Sequence, residues 1–148
     1  MMSGIRGKDT GIELRVRHHL HRSGYRYRLH ANELPGRPDI LLPRHRVAIS
    51  INGCFWHRHE CSLFKLPKTN AKYWDEKLNQ NKARDKRNYR GLAQSGWRVL
   101  VVWECALRRA RGYPSAEELV VEWVESGDDF GEVLERSESA VLVPASFV

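Results

Sequence analysis

Several absences narrow the problem before any motif is read. No apolar run in the chain approaches the roughly 20 residues that a membrane-spanning helix needs. The N-terminus carries no apolar signal-peptide region. A cytoplasmic protein with no membrane partner is therefore expected. Cysteine is scarce, three in 148 residues, and an odd number argues against a disulfide framework. There are no internal repeats. Basic residues are almost missing from residues 112–148, which hold nine acids against Arg136 alone, a net −8. The other 24 bases lie in residues 1–111 with nine acids, a net +15. The length suits one domain, and 41% hydrophobic with 29% charged residues is ordinary for a globular chain.

So basic a body attracts polyanions, and counterion release makes nucleic acid the natural partner. Many small basic proteins bind none, so charge alone does not decide the question. A helix is predicted from Thr10 to Ser23, opened by a Thr10–Glu13 capping box and closed at Gly24. Tyr25–Leu29 alternates as a strand does, and Pro35-Gly36-Arg37-Pro38 is a turn. Asp39–Leu42 and Val47–Ile51 form a hairpin around Pro43–Arg46. Gly53–Asn70 reads as an irregular loop. A polar helix follows over Ala71–Ser95, anchored by Trp74, Leu78 and Leu92. Trp97–Trp103 is a central buried strand, and a capped helix starts near Ser115. The expectation is an α/β fold, a mixed central sheet flanked by helices. Residues 1–126 make the domain and residues 127–148 an acidic tail.

Within eight residues, Cys54, His57, His59 and Cys61 supply four soft or borderline ligands, and Cys105 follows the buried strand. Structural zinc takes four tetrahedral thiolate or imidazole ligands, and Cys54, His59, Cys61 and Cys105 complete one such set. Cys105 would then clamp the loop to the distant strand end. The plainer alternative is a small buried residue at a strand end, and the paired C-x-x-C spacing is missing. This choice leaves His57 over, although His57 could replace His59 as the ligand.

Asp39 follows a rigid turn and opens a strand, a suitable place for a carboxylate that holds a divalent ion. A hairpin centred between Arg44 and His45 sets it opposite Ser50, with Asn52 just beyond. His57, a short loop away, could take a proton from water. A metal and a base are what phosphodiester hydrolysis requires. Each residue also has a structural explanation: a turn for Asp39, the capping box for Glu13, a solvated helix face for Asp85.

The stretches GIRGKDTGIELRVR, LPGRPDILLP, NGCFWHRHECSLFKLPKTNAKYWDEKLNQNKARD and GWRVLVVWECALR together resemble the very-short-patch-repair (Vsr) mismatch endonucleases, over about Ile5 to Arg108. The resemblance implies a restriction-endonuclease-like core and magnesium-dependent nicking of double-stranded DNA near a T:G mismatch. By position, it implies Asp39 as the Mg²⁺-binding carboxylate with the Ile51 main chain beside it, His57 as general base, and Glu13 and Asp85 as supporting acids. It places Asn52 in the catalytic group and gives Cys54, His59, Cys61 and Cys105 to structural Zn²⁺. Phe55, Trp56 and Trp74 match residues that wedge into the DNA stack.

Three departures accompany it. Ile51-Asn52 stands where well-known members have Thr-His. The chain begins about where the family's N-terminal arm ends. The return strand reads AISIN, without the lysine common in nucleases, which favours His57 as base. The expected protein is a monomeric, cytoplasmic and nucleoid-associated repair nickase with mismatch-repair proteins as possible partners. Its rivals are a nickase indifferent to the mismatch and a zinc-stabilised DNA-binding module without activity.

Overall fold

The computed structural model describes residues 11–145. Thr10, expected to cap the first helix, and the start of the chain, where an arm was in question, lie outside the described residues. Helix α1 (Gly11–Arg22) buries Ile12, Val16 and Leu20, whose spacing of four keeps them on one face. Strand β1 is Arg28–Leu29, shorter than the alternating Tyr25–Leu29 suggests. Tyr25 instead turns into the core beneath α1, 9% exposed, its hydroxyl bonded to Glu125.

Strands β2 (Ile40–Leu42) and β3 (Val47–Asn52) form the expected hairpin across a 3-10 turn at Pro43–His45, with Arg46 left-handed at φ 56°. Their register pairs Ile40 with Ile49, as a hairpin centred between Arg44 and His45 predicts; the ladder ends there, and Asp39 N–H donates to the Ile49 carbonyl. Helix α2 (Ala71–Gln94) leads into β4 (Arg98–Trp103). The short α3 (Glu104–Arg108) follows directly, then α4 (Ala116–Ser126). The Ser115–Glu118 capping box is formed in both directions.

The segment after Ser126 is not a structureless tail. Phe130–Arg136 is β5 and Ser139–Val143 is β6. The result is one six-stranded mixed sheet in the order β1-β2-β3-β4-β5-β6. The β1–β2, β2–β3 and β5–β6 pairings are antiparallel, while β3–β4 and β4–β5 are parallel. Parallel neighbours need crossovers, which α2 supplies on one face and α3 with α4 on the other.

Each face has its own core. Val16, Leu20, Leu119, Val120 and Trp123 pack on Ile40, Ile49, Leu100 and Val133. On the opposite face Tyr89 and Leu92 of α2 pack with Leu41, Ala48, Val99 and Val101. Alternate residues of β3 and β4 thus feed both cores, which explains their nearly continuous apolar sequence. Among the described residues no helix is long and apolar enough to cross a membrane.

Candidate active site and metal centre

At the end of the β2–β3 hairpin, Asp39 is held by main chain on three sides. Its N–H donates to the Ile49 carbonyl, its own carbonyl accepts from His30 N, and its Oδ2 accepts from Ile51 N at 2.7 Å. The side chain thereby takes the place of a strand partner for Ile51. Burial pushes the Asp39 carboxyl up to about 7, the Ile51 N–H pulls it down, and the Glu13 carboxylate pushes it up. A carboxylate kept short of compensating charge is suited to a cation.

Glu13, only 3% exposed, reaches the same place from α1. It pairs with Arg17 Nη1 at 3.4 Å and His30 Nε2 at 3.3 Å. One ligand atom from each of Glu13, His30 and Asp39 lies within 4.8 Å of the others. The Glu13 carboxylate thus faces His30 and Asp39, and its oxygen chemistry with that of Asp39 fits a hard divalent ion. His30 was not singled out from the sequence. Its signal was faint: it follows the YRYRL alternation by one residue, where the β1–β2 ladder carries it alongside Asp39.

The second half of the site is a partly buried pair. His57 Nδ1 meets Asp85 Oδ2 at 2.5 Å, bridging the loop and the inner face of α2. Asp85 is not on a solvated helix face, being 9% exposed. A carboxylate on Nδ1 fixes the ring and leaves Nε2 as proton acceptor. Asn81 Nδ2, also buried on α2, donates to the Trp56 carbonyl and ties down the same loop. Asn52 is buried, and its Nδ2 donates to Tyr89 Oη at 2.6 Å. Burial pushes the Tyr89 hydroxyl above its ordinary range, with Asp85, Glu132 and Asp39 adding to the rise against the Asn52 bond. Tyr89, missed in the sequence as one more polar-helix residue, therefore joins Asn52 to the His57–Asp85 side of the site. A pocket beside it is lined by His57, Asp85, Tyr89, Lys82 and Lys86, among others.

The zinc-type cluster assembles as expected. Cys54, His59, Cys61 and Cys105 place one ligand atom each within 4.8 Å of the rest. His59 Nδ1 is 3.6 Å from Cys54 Sγ and 3.7 Å from Cys105 Sγ. A tetrahedron with ordinary Zn–N and Zn–S bonds has N···S edges of about 3.6 Å, so the residues fit zinc. Leu63 N and Glu135 N donate to the Cys61 and Cys105 sulfurs, and His59 stacks on Trp103 at 4.2 Å between centroids. Cys105 is pulled toward the thiolate, first by the Cys54 thiol and then, against burial, by His59 and the Glu135 N–H. His57 is not in this set; it is taken by Asp85.

Phe55, Trp56 and Trp74 form one cluster, with centroids 5.1 to 5.8 Å apart. Phe64 and the exposed Tyr73 extend it, Tyr73 standing 58% exposed beside Trp74. Trp74 is only partly buried, so it is not an α2 core anchor in the way Leu78 is.

A two-carboxylate edge, a carboxylate-held histidine and an aromatic cluster on a basic body point to a nuclease. Comparison with known proteins agrees. The family profile described as DNA mismatch endonuclease Vsr matches residues 1–63. The type II nicking enzyme V.XorIIP of Xanthomonas oryzae pv. oryzae is 49% identical over 107 residues, covering 72% of this chain and 79% of that one. DNA mismatch endonuclease Vsr of Escherichia coli is 47% identical over 107 residues, 72% of this chain and 69% of that one. The type II nicking enzyme V.NmeAIP of Neisseria meningitidis is 40% identical over 108 residues, 73% and 77%. The chain belongs to the Vsr family of DNA mismatch endonucleases.

Proposed function

We propose that this protein is a magnesium-dependent endonuclease that nicks one strand of duplex DNA at T:G mismatches, in very short patch repair. The observation that carries the reading is the convergence of Asp39 with Glu13 and of His57 with Asp85 at one end of the sheet, next to the Phe55–Trp56–Trp74 cluster. Bound Mg²⁺ would offset charge on the scissile phosphate. Asp39 and the Ile51 carbonyl hold the ion, with Glu13 beside them. His57 accepts a proton at Nε2 from the attacking water, while Asp85 keeps its ring in place and balances the charge gained. Asn52, oriented by Tyr89, presents its amide to the same centre.

Phe55, Trp56 and Trp74 take the distorted duplex, exchanging lost base stacking for aromatic contact. Structural Zn²⁺ on Cys54, His59, Cys61 and Cys105 fixes the loop that carries His57, Phe55 and Trp56. The mixed sheet with helices on both faces is in keeping with a restriction-endonuclease-like core. Action on one strand needs one site, so the working unit is a monomer, cytoplasmic and close to the nucleoid, where mismatch-repair proteins would meet it.

The test is nicking of matched T:A and mismatched T:G duplexes of one sequence with Mg²⁺. Mismatch-dependent nicking by the wild type is expected, as is binding without cleavage by Asp39→Ala. Wild-type rates in Asp39→Ala would remove Asp39 from the site. Equal rates on both duplexes would leave a nickase indifferent to the mismatch, and no cleavage of any duplex would leave a binding module.

A further inference from the structure

We propose that His30 is a third ligand in the site of Asp39 and Glu13, and that its imidazole makes the site bind Mn²⁺ in preference to Mg²⁺. The inference rests on the metal site proposed above and adds to it both a ligand and a metal preference.

His30 is held in place by the fold. Its N–H donates to the Asp39 carbonyl at 2.9 Å, extending the β1–β2 ladder by one step beyond Leu29–Ile40. The ring is thereby carried to the same edge as the Asp39 carboxylate. Its Nε2 lies 3.3 Å from Glu13 Oε2, and its side chain is 15% exposed. Helix α1, the end of β1 and the start of β2 thus each send one donor to a single point. Three donors from three separate elements leave the rest of a coordination shell to water and substrate, as an open catalytic site requires.

The chemistry of the donors sets the preference. Mg²⁺ favours an all-oxygen octahedron, whereas imidazole beside carboxylates suits first-row transition ions. Two carboxylates and one imidazole therefore distinguish Mn²⁺ from Mg²⁺ in a way that Asp39, Glu13 and a main-chain carbonyl would not.

The experiment is Mn²⁺ titration of the zinc-loaded protein, followed by electron paramagnetic resonance, with Mg²⁺ as competitor. Nitrogen modulation in the spin echo of bound Mn²⁺ gives a second readout independent of activity. Wild type should bind Mn²⁺ on the order of tenfold or more tightly than Mg²⁺ and show ¹⁴N coupling. In His30→Gln the coupling should vanish and Mn²⁺ affinity should fall on the order of tenfold, with Mg²⁺ affinity little changed. In His57→Gln the coupling should survive. Absence of ¹⁴N coupling in wild type, its persistence in His30→Gln or its loss in His57→Gln would each overturn the assignment. Asp39→Asn separates the two levels. If it binds Mn²⁺ as wild type does, the metal site itself is misplaced. If it loses Mn²⁺ while His30→Gln does not, only the role of His30 fails.

Discussion

Asp39 carries a conflict that the sequence hints at and only the fold reveals. A carboxylate after Gly-Arg-Pro can be an ordinary turn residue. Here it is set against the edge of a buried strand beside Glu13, and its carboxyl rises from 3.8 to about 7. Between those values the folded state holds a proton that the unfolded chain has released, so stability falls as pH rises through the interval. The penalty is complete above about 7. Asp39→Asn keeps an acceptor for Ile51 N and removes the charge. Zinc-loaded Asp39→Asn, free of other divalent ions, should therefore exceed wild type at pH 8 by on the order of 1–3 kcal/mol. The gap should narrow as pH falls toward 5. Urea denaturation at the two pH values measures it, and a gap independent of pH would contradict the charge argument.

Tyr89 is the other residue whose importance comes from position. Tyr89→Phe leaves the buried Asn52 amide without this acceptor, a loss of about 1–3 kcal/mol for such a group. If Asn52 serves the reacting centre only when held, kcat for nicking should fall on the order of tenfold, as about 1.4 kcal/mol of barrier gives. Affinity for DNA should stay near wild type. Single-turnover nicking together with a binding titration separates the two effects, and an unchanged kcat would make the Asn52–Tyr89 contact merely structural.

At the scale of elements, what was legible depended on how local the signal was. Helices α1, α2 and α4 follow from apolar spacing and capping, and the β2–β3 register from the turn at Pro43–Arg46. The four-ligand cluster was legible because three of its members lie within eight residues. The β5–β6 hairpin was not legible. Its turn residues Ser137 and Glu138 both have positive φ, 52° and 66°, a conformation normally announced by Asn-Gly or Asp-Gly. Its first strand pairs in parallel with β4 across two helices, so no neighbouring sequence signals it. His30 was hidden for a similar reason, since its partner Asp39 is brought near by a ladder and not by spacing. The cluster also has an architectural consequence: Cys105 at the start of α3 pins the 53–70 loop to the end of β4. One zinc per chain is expected by elemental analysis. Stripping it with a chelator should abolish nicking while the far-ultraviolet circular dichroism of α2 and the sheet largely persists. Full activity in zinc-free protein would show that His57 does not need the clamp.

For the whole molecule, the −8 net charge of residues 112–148 first reads as something separate from the +15 body. The fold joins them. Glu117 pairs with Arg15 of α1, Glu125 accepts from the Tyr25 hydroxyl, and Glu132 accepts from the Trp103 indole N–H in the lining of the pocket beside Tyr89. Three of the nine acids are thus bonded to the rest of the fold, while Lys72, Lys77, Lys82, Arg84, Arg87 and Arg90 of α2 are exposed. Residues beyond Ser126 also complete the core: Val133 is fully buried, and Gly131 lies so close to Trp123 that an added Cβ would stand 2.4 Å from its indole nitrogen. Two predictions follow from this closeness. Gly131→Ala should destabilise the protein by about 1–3 kcal/mol through overpacking. Truncation after Ser126 should cost far more than a dispensable tail would. It bares the β4 edge, a pairing surface open to other chains, and removes the Glu135 N–H from the Cys105 sulfur. The shortened chain should aggregate or lose its cooperative thermal transition and bind less than one zinc per chain. A soluble, zinc-replete truncated protein with the wild-type melting temperature would mean that β5 and β6 only decorate a sheet already complete at β4.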